Sequence, residues 1–532
     1  MENIHSLAKK SNQDLRCMIV ELHQHQERLK QKYHDEKEAL ITIQKKWIAK
    51  HEKLEKLYNK LLEQLKLSRL KRFGQSTETS EQLKLFDESD QKLPLETQET
   101  VSTTDQKKSS WSKGKPRKRR ALPHNLPVEE KVYDISESDK TCACGKVRHR
   151  IGEEVSEQLK FIPAKLVIIR HIRPKYGCRG CEEGIKIAPM PVLLLPKSMA
   201  TPELVAQTIL SKYEDQIPLY RQQKQWERLG IDLPRHSCCA WVMKTADLSE
   251  PLWKLLKKDV LKSSYVQADE TPVLVLKTGD SNKRKKGYMW VYRSHPPNGP
   301  SSVYFEYQPG RSGQYAAEFL KDFKGYLQSD MYKGYDFIKK KEGVTHVGCM
   351  AHARRYFADI VKANVHKKPG LAHQAMKFFK ALYKVERRIK HESIEKRYAV
   401  RQEKSVHILT QFKKWLGKAI HLVPDGFAIG KAIHYCLAHW TQLSNYTKHG
   451  LLHIDNNLVE NNIRPFALGR KNWMFKGSPR GAKAGAIFYS LLATCKAHQI
   501  NPEQYLVKML SHIRHCKTTD DFRKLLPYHI QL

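Results

Sequence analysis

Three acidic residues that are far apart in the chain lie in segments whose patterns could bring them together. Asp269 falls in the alternating run SYVQADETPVLVL, which predicts a β-strand, and Asp330 closes a second strand-like run, GYLQSD. Glu460 falls in IDNNLVENNIRPFALGRKNWMF, where apolar residues at helical spacing predict a short amphipathic helix. Carboxylates from two strands and one helix can hold two Mg²⁺ ions roughly 4 Å apart for an in-line phosphodiester displacement. The three acids therefore indicate phosphoryl-transfer chemistry.

The helix that carries Glu460 also has an ordinary interpretation, in which Glu460 pairs with Arg464 one turn later on an exposed surface. In the catalytic interpretation, Asn456 and Asn457 lie one turn before Glu460 and are expected to support it from the second shell of ligands. Pro465 is expected to end or kink this helix. The choice between the two interpretations depends on the elements that precede the helix.

Those elements predict a ribonuclease H-like core. The strand of Asp269, in which Pro272 is expected to mark a bulge or the strand end, is followed by GYMWVYR and SVYFEY. Next come the helical GQYAAEFLKDF, the strand that ends at Asp330, and VTHVGCMAHARRYFADIV, a strand that passes into a helix. The order β-β-β-α-β-α-β-α, with acids on the first and fourth strands, is the order of that fold. A long helical insertion, about 351–450, separates Asp330 from Glu460.

The overall composition indicates a nucleic-acid partner. The chain has 532 residues, enough for several domains, and a formal net charge of +39. It contains no apolar run of the roughly 20 residues that a membrane span requires, and its N-terminal residues do not resemble a signal peptide. We therefore expect no membrane association and a cytoplasmic, nucleoid-associated protein.

The N-terminal arm predicts a coiled coil. From Leu15 to Leu61 the residues at 4-3 spacing are mostly apolar, and neither Pro nor Gly interrupts them. A homodimer through this seam is expected, and a helical hairpin folded on itself is the alternative. After Gly74 the composition changes to Ser, Thr, Gln and Glu, which predicts a disordered linker. The linker ends in the basic run KKSSWSKGKPRKRR, either a solvated tail or an arm that contacts DNA phosphates.

Two close cysteine pairs predict a structural Zn²⁺ site. Cys142 and Cys144 precede a strand-like segment that Cys178 and Cys181 follow, so that a β-hairpin could bring two thiolate pairs together. His149 could replace one thiolate. Beyond this module, IPLYRQQKQWERLGIDLPRHSCCAWVMKTAD predicts a helix, a turn and a second helix, either a DNA-binding helix-turn-helix or an ordinary helical hairpin.

We thus expect a multidomain α/β chain with six parts. They are a coiled-coil arm (1–73), a disordered linker with the basic run (74–125), a zinc-binding β module (126–195), a helical, helix-turn-helix-like DNA-binding region (196–260), a ribonuclease H-like catalytic domain (261–500) and a C-terminal helical tail (501–532).

Several blocks, in fixed order, resemble transposases of the insertion-sequence-66 family. They are VQADETPVLVL, WVYR, YQPGRSGQYAAEFLKDFKGYLQSDMYKGYD, VTHVGCMAHARRYF, HIDNNLVENNIRPFALGRKNWMFKG and PEQYLVKMLSHI. The resemblance covers nearly the whole chain, including the CxCG and CxxC of the zinc module. It implies a DDE transposase in which Asp269, Asp330 and Glu460 hold Mg²⁺ or Mn²⁺, and which acts on terminal inverted repeats and target DNA. It also implies accessory proteins encoded by the same element.

Further residues in these blocks are candidates for DNA contact. Cations could grip phosphates, and an aromatic ring could stack on an unpaired base, although Trp473 could equally be a core residue. The candidates are Arg311, Arg354, Arg355, Arg470, Lys471 and Trp473. Cys349 and His352 have ligand-like spacing, but no partner pair is evident in the sequence. Cys349 is therefore interpreted as a strand-end core residue, and the role of His352 stays open.

Two rival functions remain on the sequence alone. The first is a non-enzymatic DNA-binding regulator, built on the zinc module and the helix-turn-helix, in which the three acids are structural. The second is a ribonuclease H-like nuclease that cuts DNA but never joins it. Changing the acids discriminates against the first rival, and a strand-transfer assay discriminates against the second.

Overall fold

The structure is a computed structural model that describes residues 12–73, 166–176, 186–276, 285–297, 299–363, 370–423 and 426–531. The chain divides into two compact units, one made of residues 1–89 and 189–532 and the other of residues 90–188. Within the described ranges, every helix is too short or too polar to cross a membrane.

The described part of the smaller unit is a short hairpin. Strands β1 (Lys175–Tyr176) and β2 (Lys186–Ile187) pair in antiparallel fashion, and Arg173 Nη1 donates a hydrogen bond of 3.1 Å to the backbone carbonyl of Ala188. In sequence the two strands flank the segment that holds Cys178 and Cys181. All four predicted zinc cysteines, and also His149, lie outside the described residues, as does the basic run of the linker.

The larger unit begins with one long helix, α1 (Asn12–Phe73, 62 residues). Large apolar side chains along it are exposed to solvent, for example Leu22, Leu40 and Trp47. Close to its C-terminal end α1 lies against the helix Met350–Ala363 of the same unit, and Glu63 Oε2 accepts a hydrogen bond from the backbone N–H of Ala428 at 3.1 Å. The apolar seam that predicts a coiled coil is therefore present and uncovered within one chain.

Five strands form one mixed sheet in the order β5-β4-β3-β6-β7. The first three pair in antiparallel fashion, and β6 and β7 run parallel to β3. Helix α5 (Gly313–Phe319) connects β5 to β6, and a 3₁₀ helix (Lys333–Lys340) connects β6 to β7. The strands are β3 (Tyr265–Val275), β4 (Lys285–Ser294), β5 (Val303–Gln308), β6 (Gly325–Ser329) and β7 (Val344–Gly348).

Helices from both ends of the unit pack together beside the sheet, and two of them, Arg235–Lys262 and Pro479–Ala497, contact its antiparallel strands. Two hydroxyl side chains of the helix Pro479–Ala497 reach the edge strand β5. Ser490 Oγ accepts a hydrogen bond from the Phe305 N–H at 2.8 Å, and Thr494 Oγ1 accepts one from the Val303 N–H at 3.1 Å. These bonds satisfy donors that an open edge would leave exposed. The helices are α2 (Pro202–Tyr213), α3 (Leu219–Arg228) and α4 (Arg235–Lys262) before the sheet, and α13 (Pro479–Ala497), α14 (Pro502–His512) and α15 (Thr519–Lys524) after it.

The predicted helix-turn-helix layout is present in α3 and α4, which the turn from Leu229 to Pro234 connects. Farther along α4, one face of the helix is buried in the core, with residues such as Leu252 and Leu256. DNA contact by Arg235 or His236, which open α4 and are exposed, stays a prediction.

Between β7 and the helix of Glu460, the residues that the structure describes form helices and no strand, and these helices build a second hydrophobic core. They are α6 (Met350–Ala363), α7 (Leu371–Arg388), α8 (Ile394–Val400), α9 (Val406–Ala419), α10 (Ala428–Ala438) and α11 (Trp440–Ser444), and α12 (Asn457–Trp473) follows them. This helical segment matches the predicted insertion in its position between Asp330 and Glu460.

A buried arginine joins this segment to the approach of α12. The guanidinium of Arg401 is fully buried, pairs with Glu386 at 2.6 Å, and donates to the backbone carbonyls of Tyr446, His449 and Leu452. Because an unpaired buried charge costs far more than a solvated one, this cluster should hold the turn that precedes α12 in one conformation.

Replacing Arg401 with methionine is expected to lower the free energy of unfolding by about 3–5 kcal/mol, because the change leaves the carboxylate of Glu386 without its partner. The measurement is urea denaturation of the full chain. Lys396→Met is the control, since Lys396 pairs with Glu392 on an exposed surface and its loss should cost no more than about 1 kcal/mol. Equal effects of the two changes would contradict this role for Arg401.

The predicted bulge or strand end at Pro272 and the predicted helix end at Pro465 are wrong, while a kink at Pro465 stays a prediction. Strand β3 continues through Pro272 to Val275, and α12 continues through Pro465 to Trp473. Pro272 faces Tyr288 of β4, while the pairing of β3 with β6 covers only the beginning of β3, so one side of the strand has no partner strand at Pro272. In α12 the buried side chains of Ile463 and Phe466, on both sides of the proline, keep the helix packed against the core.

Candidate active site

Asp269 lies in the middle of β3, directly opposite Val291 of β4. Its Oδ1 accepts a hydrogen bond of 2.8 Å from the backbone N–H of Glu270. Burial raises the pKa of Asp269 well above its ordinary value, and the carboxylates of Glu460, Glu270 and Asp330 raise that pKa further. The side chain of Asp269 therefore faces the other two predicted acids closely enough to feel their charge.

Asp330 follows β6 immediately and is half-buried. Its Oδ1 accepts from the backbone N–H of Tyr332 at 2.9 Å, and its carbonyl oxygen accepts from the hydroxyl of Tyr435 at 3.2 Å. The last parallel pair between β3 and β6 is Gln267 with Gln328. Asp269 and Asp330 lie two residues beyond that pair, so they stand level on neighbouring strands.

The close approach of these two strands depends on a glycine. Gly325 opens β6 with a φ of +128°, and a Cβ there would lie 2.2 Å from the carbonyl oxygen of Ser264. That carbonyl accepts the first inter-strand hydrogen bond, from the N–H of Tyr326 at 2.8 Å. A side chain at position 325 would therefore separate the strands that carry Asp269 and Asp330.

Glu460 lies in the first turn of α12, where the helix dipole favours a carboxylate. Its Oε1 is 3.6 Å from His352 Nδ1, and its Oε2 is 3.8 Å from Arg355 Nη2. Its side chain is 21% exposed, and Oε1 is buried without a hydrogen-bond partner. Glu460 thus contacts side chains of α6 and not Arg464, its partner in the surface-helix interpretation.

Hydrogen bonds between α12 and the sheet hold the helix against β3 and β4. Arg470 Nη1 donates to Thr271 Oγ1 at 3.0 Å and also to the carbonyl of Pro272. Arg293 Nη1 of β4 donates to Asn462 Oδ1 at 3.2 Å. Both contacts are hydrogen bonds to polar groups of the protein itself, so each helps to place Glu460 over Asp269.

A buried polar network fixes the start of α12 to the two acid-bearing strands. Gln267 Nε2 donates to Gln328 Oε1 at 2.8 Å and to the carbonyl of Asp455 at 3.0 Å, and Gln328 Nε2 donates to the carbonyl of His453 at 2.9 Å. The hydroxyl of Tyr265 also donates to Gln328 Oε1. Because every one of these amides is satisfied by a specific partner, the network specifies one relative position of β3, β6 and α12.

A fourth carboxylate, which the sequence analysis did not single out, lies beside the three acids. Glu270 is buried. Its Oε1 forms a salt bridge with Arg311 Nη2 at 2.6 Å, and its Oε2 accepts a hydrogen bond from the hydroxyl of Tyr335 at 3.0 Å. Burial raises the pKa of Glu270, as does the charge of Asp330, whereas Arg311 and Tyr335 lower it. Arg311 also lies 3.7 Å from the centre of the Tyr332 ring. This cluster ties β3 to the segment that directly follows Asp330.

The structure also supplies the partner that the Cys349–His352 spacing lacks in the sequence. Cys349 directly follows β7, His352 lies on the first turn of α6, and one ligand atom from each lies within 4.8 Å of the others and of a carboxylate oxygen of Glu460. Burial lowers the pKa of His352, while the charges of Glu460 and Asp330 raise it. Sequence spacing alone could not find this group, because Glu460 lies on a distant helix.

The remaining predicted residues differ in their surroundings. Asn456 is fully buried and Asn457 is partly exposed, Arg354 is buried, and Arg355 is 56% exposed. Lys471 is exposed at the end of α12, whereas Trp473 packs its ring against Phe466 with 5.4 Å between the centroids. Arg355 and Lys471 are therefore accessible to a ligand. The contact with Phe466 supports the interpretation of Trp473 as a core residue.

Comparisons with known families identify matches along most of the chain. The family described as "Transposase IS66 family" matches residues 197–484, and "IS66 C-terminal element" matches residues 490–528. The "zinc-finger binding domain of transposase IS66" matches residues 139–182, a stretch that contains all four predicted zinc cysteines. "Transposase C of IS166 homeodomain" matches residues 60–130.

Two similar proteins come from Sinorhizobium fredii (strain NBRC 101917 / NGR234). "Uncharacterized protein y4jD" is 33% identical over 419 residues, which cover 76% of this chain and 81% of that protein. "Uncharacterized protein y4hP" is 30% identical over 492 residues, which cover 87% of this chain and 88% of that protein. The similarity thus extends over more than four-fifths of each relative.

Proposed function

The chain belongs to the IS66 family of transposases, and we propose that it binds the ends of its insertion sequence, cleaves DNA there and joins the 3′ ends to target DNA. Membership of this family implies DNA as the partner, a divalent metal in the DDE domain and zinc in the zinc-finger domain. The finer statements below concern the residues, the metals and the reaction.

The observation that carries the proposal is the convergence of Asp269, Asp330 and Glu460 from two strands and one helix. We interpret the sheet as a ribonuclease H-like core, because three antiparallel strands are followed by two parallel ones, with β3 in the centre. In that interpretation Asp269 lies on the first strand of the core and Asp330 at the end of the fourth, and the helical segment after β7 is an insertion.

The three acids fit a site for divalent cations. Burial and mutual repulsion raise the pKa of Asp269, and Glu460 Oε1 is buried with no hydrogen-bond partner, so the protein compensates the charges of the acids only in part. Carboxylate oxygens are the ligands that Mg²⁺ and Mn²⁺ prefer. When bound, such ions supply activation of water or a 3′-hydroxyl and stabilisation of the leaving oxygen.

The chain's own residues would orient this chemistry. Asp269 and Asp330 supply oxygens from a rigid sheet, and Glu460 adds its carboxylate from the N-terminal turn of α12. Asn456 and Asn457 would support Glu460 from the same turn, and Arg355 and Lys471 would hold phosphates beside it. The reaction would proceed by direct hydrolysis and transesterification, with no covalent enzyme intermediate.

We further propose that the protein acts as a homodimer through α1. Leu22, Leu40, Trp47 and other apolar residues of the seam are exposed in the single chain, and burial of a heptad seam is what drives two helices together. Zinc held by Cys142, Cys144, Cys178 and Cys181 would stabilise the smaller unit, consistent with the zinc-finger match over these residues.

The test of the proposed function is incubation of the full-length protein with DNA that carries the element's terminal repeats and with a target plasmid, in Mg²⁺. Cleavage at the repeat ends, followed by joined products, is expected. Cleavage without joining favours the nuclease alternative, and DNA binding without either reaction favours the regulator alternative.

Replacing Arg311 with lysine distinguishes two roles for this residue. If Arg311 positions the segment after Asp330, lysine should not replace it, whereas lysine could replace an arginine that only contacts a DNA phosphate. Lysine keeps the positive charge but cannot reproduce the paired N–H contacts with Glu270 or the stacking on Tyr332. We expect Arg311→Lys to lower the cleavage rate by about 10–100-fold, as loss of supporting contacts typically does, and to leave DNA affinity unchanged.

The comparison variant for this test is Lys471→Met. Lys471 is exposed, and its loss should weaken DNA binding and reduce the slope of log K against log salt concentration by about one. If Arg311→Lys retains the wild-type cleavage rate, Arg311 does not position the Asp330 segment, and its assignment reverts to DNA contact.

A further inference from the structure

We propose that Cys349, His352 and Glu460 form a binding site for a thiophilic divalent cation of the Zn²⁺ class, separate from the predicted zinc module. Occupancy of this site would withdraw Glu460 from Asp269 and Asp330 and so inhibit DNA cleavage. The binding site stands on geometry alone, whereas the inhibition rests on the function proposed above.

The geometry suits a tetrahedral ion. One atom from each of the three side chains lies within 4.8 Å of the other two, and His352 Nδ1 is 3.6 Å from Glu460 Oε1. Zinc–ligand bonds of about 2.0–2.3 Å place tetrahedral ligands roughly 3.3–3.8 Å apart. The His352–Glu460 edge already has this length, so only a small movement of the Cys349 thiol is required.

The polar atoms of the site are unsatisfied. His352 Nδ1 and Glu460 Oε1 are both buried and lack hydrogen-bond partners, although they face each other. Both polar atoms of the Asn456 side chain, one turn before Glu460, are also buried without partners, and Asn456 is fully inaccessible to solvent. Buried polar atoms that lack partners cost free energy, so their concentration here indicates a missing polar or ionic ligand.

The frame around the thiol is rigid. Cys349 connects β7 to α6, and its Sγ accepts a hydrogen bond of 3.5 Å from the backbone N–H of Asn456 at the start of α12. A donor aimed at the sulfur stabilises the thiolate that a metal requires. Cys349 thus connects the same two helices, α6 and α12, that supply His352 and Glu460.

The ligand set selects the ion. A thiolate and an imidazole favour Zn²⁺ over Mg²⁺, which prefers oxygen ligands, and three protein ligands leave a fourth position for water. Burial raises the pKa of the Cys349 thiol, so binding must release that proton to solvent as the zinc–sulfur bond forms. Affinity should therefore increase with pH.

The experiment measures zinc bound per full-length chain after equilibrium dialysis in a large excess of Mg²⁺. Wild type is compared with Cys349→Ser, with His352→Asn, and with the control Cys436→Ser, which changes another buried cysteine of the helical segment. We expect the first two variants each to bind one Zn²⁺ fewer than wild type and the control to match wild type. Equal zinc content in all four proteins overturns the site, and this count requires no DNA reaction.

The second measurement is zinc inhibition of Mg²⁺-dependent cleavage, expressed relative to each protein's own uninhibited rate. Cys349→Ser should require a zinc concentration at least about 10-fold higher for half-inhibition, as expected when a ligand is lost. Cys436→Ser should behave as wild type. If zinc content falls in Cys349→Ser while its sensitivity to zinc stays the same, the withdrawal of Glu460 is wrong even though the ion binds.

Discussion

Replacing Glu460 with glutamine is expected to reduce Mg²⁺-dependent cleavage of terminal-repeat DNA by more than about 10³-fold while DNA affinity stays within about twofold. Loss of a single preorganised hydrogen-bond donor costs 10²–10³-fold in other enzymes, and a lost metal ligand should cost more. Glutamine has the shape of glutamate, so α12 should keep its contacts with β3. Gel-shift assays report the affinity, and product analysis reports the cleavage.

The control for Glu460 is Glu318→Gln, which changes an exposed glutamate of α5 in the same compact unit. Wild-type cleavage is expected there. If Glu460→Gln cleaves at the rate of this control, Glu460 is not a metal ligand, and the surface-helix interpretation of α12 is restored.

The second large effect is on thermal stability, which we expect to increase in a variant that loses cleavage activity. Asp269→Asn should abolish cleavage but raise the Tm of the metal-free protein, because burial and three nearby carboxylates disfavour the charged Asp269. Each kcal/mol of relieved repulsion should raise the Tm by about 2–4 °C or less in a chain of this size. In the wild type, added Mg²⁺ should raise the Tm, and in the variant this response should be much smaller.

The pH dependence follows from the sign of the same shift. The folded-state pKa of Asp269 is raised, so the folded protein binds the proton more tightly than the unfolded chain. The free-energy cost of a charged Asp269 in the folded protein is therefore absent at low pH, and it develops as the pH rises through the folded-state pKa of this residue. The Tm advantage of Asp269→Asn should be largest near neutral pH and shrink on acidification, whereas an unchanged or lower Tm at neutral pH contradicts the repulsion.

Local patterns in the sequence were sufficient to find the acid-bearing elements. The alternation around Asp269, the short run that ends at Asp330 and the helical spacing around Glu460 each correspond to the element that the structure shows. These segments are strongly patterned because one side of each packs against a core.

Tertiary contacts explain the predictions that failed. Pro272 does not end β3 because no partner strand lies alongside it there to require its N–H, and packing at Ile463 and Phe466 allows α12 to continue past Pro465. Neither condition can be read from the local sequence, because each depends on which element lies alongside.

The clusters beside the three acids could not be found from the sequence for a related reason. Glu270 shares a strand with Asp269, yet its partner Arg311 comes from the connection after β5, and the Cys349–His352 pair obtains Glu460 only through the packing of α6 beside α12. Such clusters are formed by side chains that are distant in sequence. Spacing rules, which act over a few residues, do not detect them.

The level arrangement of Asp269 and Asp330 depends on a few residues of β3 and β6. It follows from the register of Gln267 with Gln328, from the amide network of those two residues, and from the close approach that Gly325 allows. A shift of one residue in this register would send one of the acids to the opposite face of the sheet.

If one set of three carboxylates both cuts and joins DNA, strand transfer should require the same acids as cleavage. A pre-cut terminal-repeat end with a free 3′-hydroxyl is incubated with a plasmid and the full-length protein, as wild type and as Asp330→Asn, in Mg²⁺ and in a chelator. We expect joined products only for the wild type in Mg²⁺. Joined products from Asp330→Asn, or none from a wild type that cleaves the same repeat, would contradict this expectation.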